Sequence, residues 1–191
     1  MHFGHGTYAE GLEIARFADL EWSPALIAAL DEIFFEASGT KAFDSDEHRR
    51  SFRERWLGCY LEHKAEHAFL AIDANGRPAG YVIGDLDDPA TTPRYADIPY
   101  VQALAVSSCR YPAHLHINLA PVHRSHGLGS RLIETFAHHA KACGSPGVHV
   151  VTSKGMRNVG FYERNGFLLR QEIEWAGRQL VLLGRDLLDH G

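Results

Sequence analysis

The stretch PVHRSHGLGSRLIETF, residues 121–136, sets two glycines two apart, behind a cluster of basic residues, at the mouth of an amphipathic helix. Leu128, Leu132, Phe136 and Ala140 recur every four residues, so the helix is predicted to run to about Cys143 and to stop at Gly144. The segment just before it, HLHINLAP at 114–121, alternates as a strand, with Leu115, Ile117 and Leu119 on one face and His114, His116 and Asn118 on the other. GVHVVTS, 147–153, is the next strand, so the run from 114 to 153 reads strand, loop, helix, strand, which implies a parallel crossover. A helix N-terminus offers amides without partners and a partial positive charge, and glycine lets an anion come close. On these residues alone a structural turn and a phosphate site both stay open. No Gly-Lys-Ser/Thr follows, as a Walker loop needs, and the third glycine of a dinucleotide fingerprint is missing.

Working outward, AFLAID at 68–73 and AGYVIGDL at 79–86 flank Asn75-Gly76, a tight hairpin signal. Residues 11–20 suit a first strand. Residues 23–39 suit a helix with Ser23 as N-cap, Pro24 at its first position and Gly39 at its exit, and about 45–65 suit a second. Residues 87–113 carry four prolines and three tyrosines, with a short element expected at 101–106; a connection this long points to function and is expected to border the active cleft. A short helix over NVGFYERNG, 158–166, precedes a hairpin that turns at Gly177. The expected architecture is one α/β domain over 1–191, a mixed sheet flanked by helices.

Composition narrows the function classes. The chain has 191 residues, 45% hydrophobic and 23% charged, with a formal charge of −5, which argues against broad binding to nucleic acid or anionic membranes. No apolar run approaches membrane-spanning length, and the N-terminus lacks signal-peptide regions. Cys59, Cys109 and Cys143 read as reduced thiols of a cytoplasmic protein. Thirteen histidines raise the question of a metal; His63 and His67 have i,i+4 spacing but polar neighbours and no zinc-protease motif, so a solvated helix face is the expectation and no metal site is assigned.

Two motifs read together carry a family resemblance. INLAPVHRSHGLG, 117–129, resembles the acyl-coenzyme A loop of the GNAT superfamily of N-acetyltransferases, and NVGFYERNGF, 158–167, resembles that family's Asn…Phe-Tyr…Gly-Phe segment. The resemblance implies a central mixed, mostly antiparallel twisted sheet and acetyl-coenzyme A as co-substrate without a metal. It implies that Arg124, Ser125, His126, Gly127, Leu128, Gly129 and Ser130 hold the pyrophosphate, with backbone at Leu119 and Asn158 as further coenzyme contacts. Asn158 stands four residues before the tyrosine, where the commoner family form has its Asn seven before, at Gly155 here.

Tyr162 matches the tyrosine that in many members protonates the departing thiolate; packing beside Phe161 is the alternative. Many members carry a Glu on the strand before the loop, whereas this strand has no carboxylate. His116, and after it His114, are the titratable substitutes, resembling the His-x-His of some arylalkylamine acetyltransferases but one residue nearer the loop. Two structural strand histidines remain the alternative. GYVIGDLD at 80–87, PAHLHINL at 112–119 and VLLGRDL at 181–187 look further like the acetyltransferase-like domain of O-GlcNAcase and its free-standing bacterial relatives, in which an Asp commonly stands at the place of Asn118. The resemblance implies acetyl transfer to a primary amine of a small molecule, amino-sugar or protein, with a homodimer as a further possibility. The second reading is a coenzyme-binding module that has lost catalysis.

Overall fold

The structure, a computed structural model, describes residues 11–188. Seven strands lie in the order β1-β2-β3-β4-β5-β7-β6. They are β1 (Glu13–Arg16), β2 (Phe69–Ile72), β3 (Pro78–Asp85), β4 (Ala113–Leu119), β5 (Gly147–Ser153), β6 (Leu168–Trp175) and β7 (Arg178–Asp186). The pair β4–β5 is parallel, while β1–β2, β2–β3, β5–β7 and β6–β7 are antiparallel. The helices are α1 (Pro24–Ala37), α2 (Asp46–Arg53), α3 (Cys59–His63), α4 (Ala105–Ser108), α5 (Leu128–Ala142) and α6 (Arg157–Arg164). This is the mixed, mostly antiparallel α/β fold expected from the sequence.

The backbone divides into two compact units. One takes the chain up to Ile83 and adds Ile117–Glu134; the other takes Gly84–His116 and the chain from Thr135 onward. In the first, Ser23 caps α1 by accepting the Leu26 N–H at 3.1 Å, and Pro24 starts the helix, where a missing N–H costs nothing. Leu26, Leu30, Ile33 and Phe34 form its buried stripe. The helix ends one residue before the expected place: Ser38 is extended and its N–H still reaches Phe34 O, so Gly39 is not needed to stop it. Ser45 caps α2 in the same way, through the His48 N–H at 3.0 Å. A single π-helical turn over Glu54–Gly58 joins α2 to α3, so the expected second helix is continuous but carries a local bulge.

The β2–β3 hairpin differs in its turn. Only Gly76 has positive φ, at 75°, and Asp73 organises the loop by accepting the Asn75 and Arg77 N–H groups at 2.8 and 2.9 Å. That is a bulged turn, in line with the register shift between Ala71 and Ile72. At the second hairpin both Ala176 and Gly177 are left-handed, as a two-residue turn demands.

In the second unit, Gly84 on β3 lies so close to β4 that a Cβ there would collide with His114 O and come 2.6 Å from the Phe136 ring. The 87–113 connection is built from short turns and α4 and carries two deeply buried tyrosines, Tyr95 and Tyr111.

Candidate active site

The glycine loop forms as β4 ends. Pro121–His123 make one 3-10 turn and Arg124 is extended. Ser125 (φ 66°) and Gly127 (φ 80°) then turn left-handed before α5 begins at Leu128. The Arg131 N–H donates to Gly127 O, so the amides of residues 128–130 precede the first helical bond. Residues 124–127 are largely open to solvent, and no acidic side chain occupies the first turn of α5. A row of donors at a positive helix end, with no Cβ at 127 or 129 and no internal carboxylate to satisfy it, fits a phosphate group.

Arg124 makes two contacts within the first unit. Its Nε donates to Leu119 O at 3.0 Å, and its guanidinium pairs with Glu36 near the end of α1. The side chain thus staples the loop to the strand end and to α1. Arg124→Ala is therefore expected to weaken coenzyme binding only about threefold, the scale of an exposed ion pair, as isothermal titration would read.

The parallel pairing of β4 with β5 is short. It covers Ala113↔Val148 and His114↔His149, although β5 runs on to Ser153. On its other edge β5 is paired with β7 along its whole length.

At that last paired rung three imidazoles gather. His114 and His149 have ring centroids 5.7 Å apart, and His116 lies 6.5 Å from His114. His149 Nδ1 is 2.5 Å from Tyr111 O, which places its proton on Nδ1. Tyr95 stands edge-on to His114 at 4.9 Å, and its hydroxyl donates to Asp85 Oδ2 at 2.8 Å. Asp85, fully buried at the end of β3, also accepts the Leu86 and Asp87 N–H groups at 2.7 and 3.2 Å. Burial is the main force pushing all three histidines below their ordinary range, and mutual repulsion adds to it for His114 and His116. His116 falls to about 4. The cluster is uncharged at neutral pH.

Tyr162 lies on α6 and is 7% exposed, with Phe161 and Phe167 at centroid distances of 5.4 and 5.6 Å. Phe161 is half-buried, and Tyr162 is the deeper of the two. Burial also pushes its phenol well above the usual tyrosine range, so it keeps its proton. Asn158 is exposed at the start of α6, its Oδ1 accepting from Thr152 Oγ1 at 3.1 Å. In the first unit Asn118 Nδ2 donates to the hydroxyl of buried Tyr81 at 2.8 Å.

Residues 25–167 match the profile of the acetyltransferase (GNAT) family. The chain belongs to that family. Among solved structures, SsHAT is 24% identical with a TM-score of 0.68, over 94% of this chain and 100% of that one. The structure of yncA from Salmonella typhimurium with its cofactor acetyl-CoA is 18% identical with a TM-score of 0.62, over 95% and 97%. The NatC complex bound to Gag peptide and CoA gives 12% and 0.62, over 93% and 99%. These likenesses show the fold.

Within this GNAT fold the structure brings His114 and His116 together and adds three residues that the sequence pattern did not single out: His149, Tyr95 as a bonded partner, and Asp85. A signal for His149 existed, since a lone imidazole in the apolar run Gly-Val-His-Val-Val is out of character for a buried strand. Asp44 and Asp87 are exposed, and Asp44 lies 3.6 Å from His48. Among the described residues no group of three or more His, Cys, Asp or Glu is placed to hold a metal ion.

Because the unfolded chain binds protons at histidine near pH 6.5 and the folded cluster resists them, the sign of the pH dependence is fixed. The cluster's contribution to stability is fully present above about pH 6.5 and is lost as the pH falls, the part due to His116 as the pH drops towards 4. His116 alone accounts for about 3 kcal/mol at most. Urea unfolding at pH 7 and pH 5 should show the loss, and His116→Asn should reduce it.

Proposed function

We propose that this GNAT protein is a single-domain, acetyl-coenzyme A-dependent N-acetyltransferase that acts on a primary amine. The observation that carries the reading is the open first turn of α5, reached through left-handed Ser125 and Gly127, which offers backbone amides to a pyrophosphate. Ser125, His126, Gly127, Leu128, Gly129 and Ser130 would hold that group, with Arg124 bracing the loop from Leu119 and Glu36. The edge of β5 beyond His149, past the end of its pairing with β4, offers peptide groups to an extended arm, and Asn158 stands at the start of the helix that follows β5.

The bound coenzyme supplies an acetyl group already activated as a thioester. The chain's own residues do the proton work. An alkylamine with a pKa near 10.4 is neutral in only about one molecule in a few thousand at pH 7, so a proton must leave it. His116, with His114 behind it, accepts the proton that the amine nitrogen loses as its bond to the acetyl carbon forms. Tyr162 gives its phenolic proton to the sulfur as the carbon–sulfur bond breaks. A buried phenol that stays protonated suits that role, and an imidazole that is neutral at pH 7 suits the other.

The segments resembling the acetyltransferase-like domain of O-GlcNAcase and its bacterial relatives do not fix the acceptor, which stays open among a small-molecule amine, an amino-sugar and a protein amine. Three free cysteines suit the cytoplasm. One observation favours the second reading, a coenzyme-binding module without turnover: Asn118 stands where relatives carry an acid, and its amide is bonded to Tyr81. Thiol release from acetyl-coenzyme A over a panel of glucosamine, tyramine and a lysine peptide separates the two. Turnover on any of them supports the enzyme. A coenzyme-induced rise in melting midpoint with no turnover supports the module, and no rise at saturating coenzyme sinks both.

A further inference from the structure

The buried cluster around His114 contains more than a pair of strand histidines requires. His149 lies on β5, the strand after the helical crossover, yet it is the direct cross-strand partner of His114. Its own ring is tied down at Nδ1 by Tyr111 O. Tyr95 comes from the middle of the 87–113 connection, ten residues beyond Asp85, and covers His114 edge-on. A carboxylate as deeply buried as Asp85 is costly unless its lone pairs are met. Here it accepts two backbone amides and one phenol, and the phenol belongs to the residue that covers His114. A core built for packing alone would have a phenylalanine at 95 and an aliphatic side chain at 85 or 149.

We infer that His149 and the Asp85-anchored Tyr95 are positioning residues that fix the ring orientation of His114 from two sides, so that His114 and His116 act as one proton-accepting unit. The inference rests on the reading of those two histidines as the base. Neither Tyr95 nor His149 is required to touch the substrate. Tyr95 works through its hydroxyl, because the bond to Asp85 holds its ring at one angle. His149 works through its place beside His114, where its imidazole also opposes a charge on its neighbours.

The titratable and charged groups facing the cluster are His114 and His116 on β4, His149 on β5, Asp85 at the end of β3, and Tyr95 and Asp88 from the connection. Asp88 favours a charge on His149, and a charged His149 in turn disfavours one on the two histidines of β4. Removing His149 therefore relieves a repulsion.

The test uses the full chain and two readouts. In the first, histidine Cε1–H resonances are titrated in the free protein. His149→Asn is expected to raise the midpoints of His114 and His116 by about one pH unit while the melting midpoint holds, which separates lost repulsion from a loosened core that admits water. In the second, kcat and kcat/KM are followed against pH with acetyl-coenzyme A and the best acceptor among glucosamine, tyramine and the lysine peptide. His149→Asn and Tyr95→Phe are each expected to lower kcat about tenfold with KM little changed, and His149→Asn is expected to shift the acid limb upward. In a double-variant cycle His114→Ala with His149→Asn should be no slower than His114→Ala alone.

Fully additive losses, or unshifted resonances in folded His149→Asn, overturn the inference while leaving the acetyltransferase reading in place. Full activity of both His114→Ala and His116→Ala overturns the base assignment and the inference together. Tyr95→Phe preserves the ring and so keeps the kinetic test open should His149→Asn fail to fold.

Discussion

Tyr162→Phe is expected to lower kcat by roughly 10²–10⁴-fold while coenzyme affinity and melting midpoint hardly move. The ring itself is retained, so the packing against Phe161 and Phe167 is kept and only the hydroxyl is lost. The sulfur of a thiol with a pKa near 8.5 leaves more easily when a hydroxyl beside it gives it a proton. Because burial holds the phenol above its usual range, Tyr162 stays in its acid form throughout a working assay. No alkaline limb below about pH 10 should therefore belong to it, and any such limb in the wild-type profile should survive the substitution. Steady-state kinetics with a thermal melt decide the matter; a fully active phenylalanine variant would return Tyr162 to the core.

The second large effect concerns Gly127. Valine there has to adopt φ near +80°, which costs an L-residue on the order of 1–2 kcal/mol, more when it is β-branched. Relief of that strain turns the peptide planes that aim the amides before Leu128. Gly127→Val is thus expected to raise the coenzyme dissociation constant by about a hundredfold or more, measured by isothermal titration, while the fold survives with a modestly lower melting midpoint. The contrast with the small effect expected at Arg124 separates the two parts of the motif. On the proposed reading, backbone donors bind and the guanidinium braces.

What the sequence made legible was whatever is written locally. The cap at Ser23, the turns at Gly76 and Gly177, and the strand–loop–helix run from His114 to Ala142 each rest on neighbours within a few residues. The two-face alternation of β4 likewise placed His114 and His116 together before any coordinates. The rest depends on contacts that no local pattern encodes. Glu36 and Arg124 are 88 residues apart, and Asn118 and Tyr81 are 37 apart. His149 meets His114 only because the crossover is parallel and in that register, and a shift of one residue would turn it to the other face. Tyr95 was within reach as one of the three tyrosines of the 87–113 connection. Its bond to Asp85 was not, because the connection between them has no periodic structure to project.

The brevity of the β4–β5 ladder has a consequence for hydrogen exchange. A strand alternates the direction of its amides, one to each neighbour, and from Val150 to Ser153 the described pairing of β5 lies only on the β7 side. Exchange along this central strand should therefore run with a period of two in the ligand-free protein: amides aimed at β7 are slow, and those between are as fast as in an edge strand. Coenzyme lying along that edge would erase the alternation. The fast set would slow while its neighbours stay as they were, so that the arm's course could be followed amide by amide without any turnover.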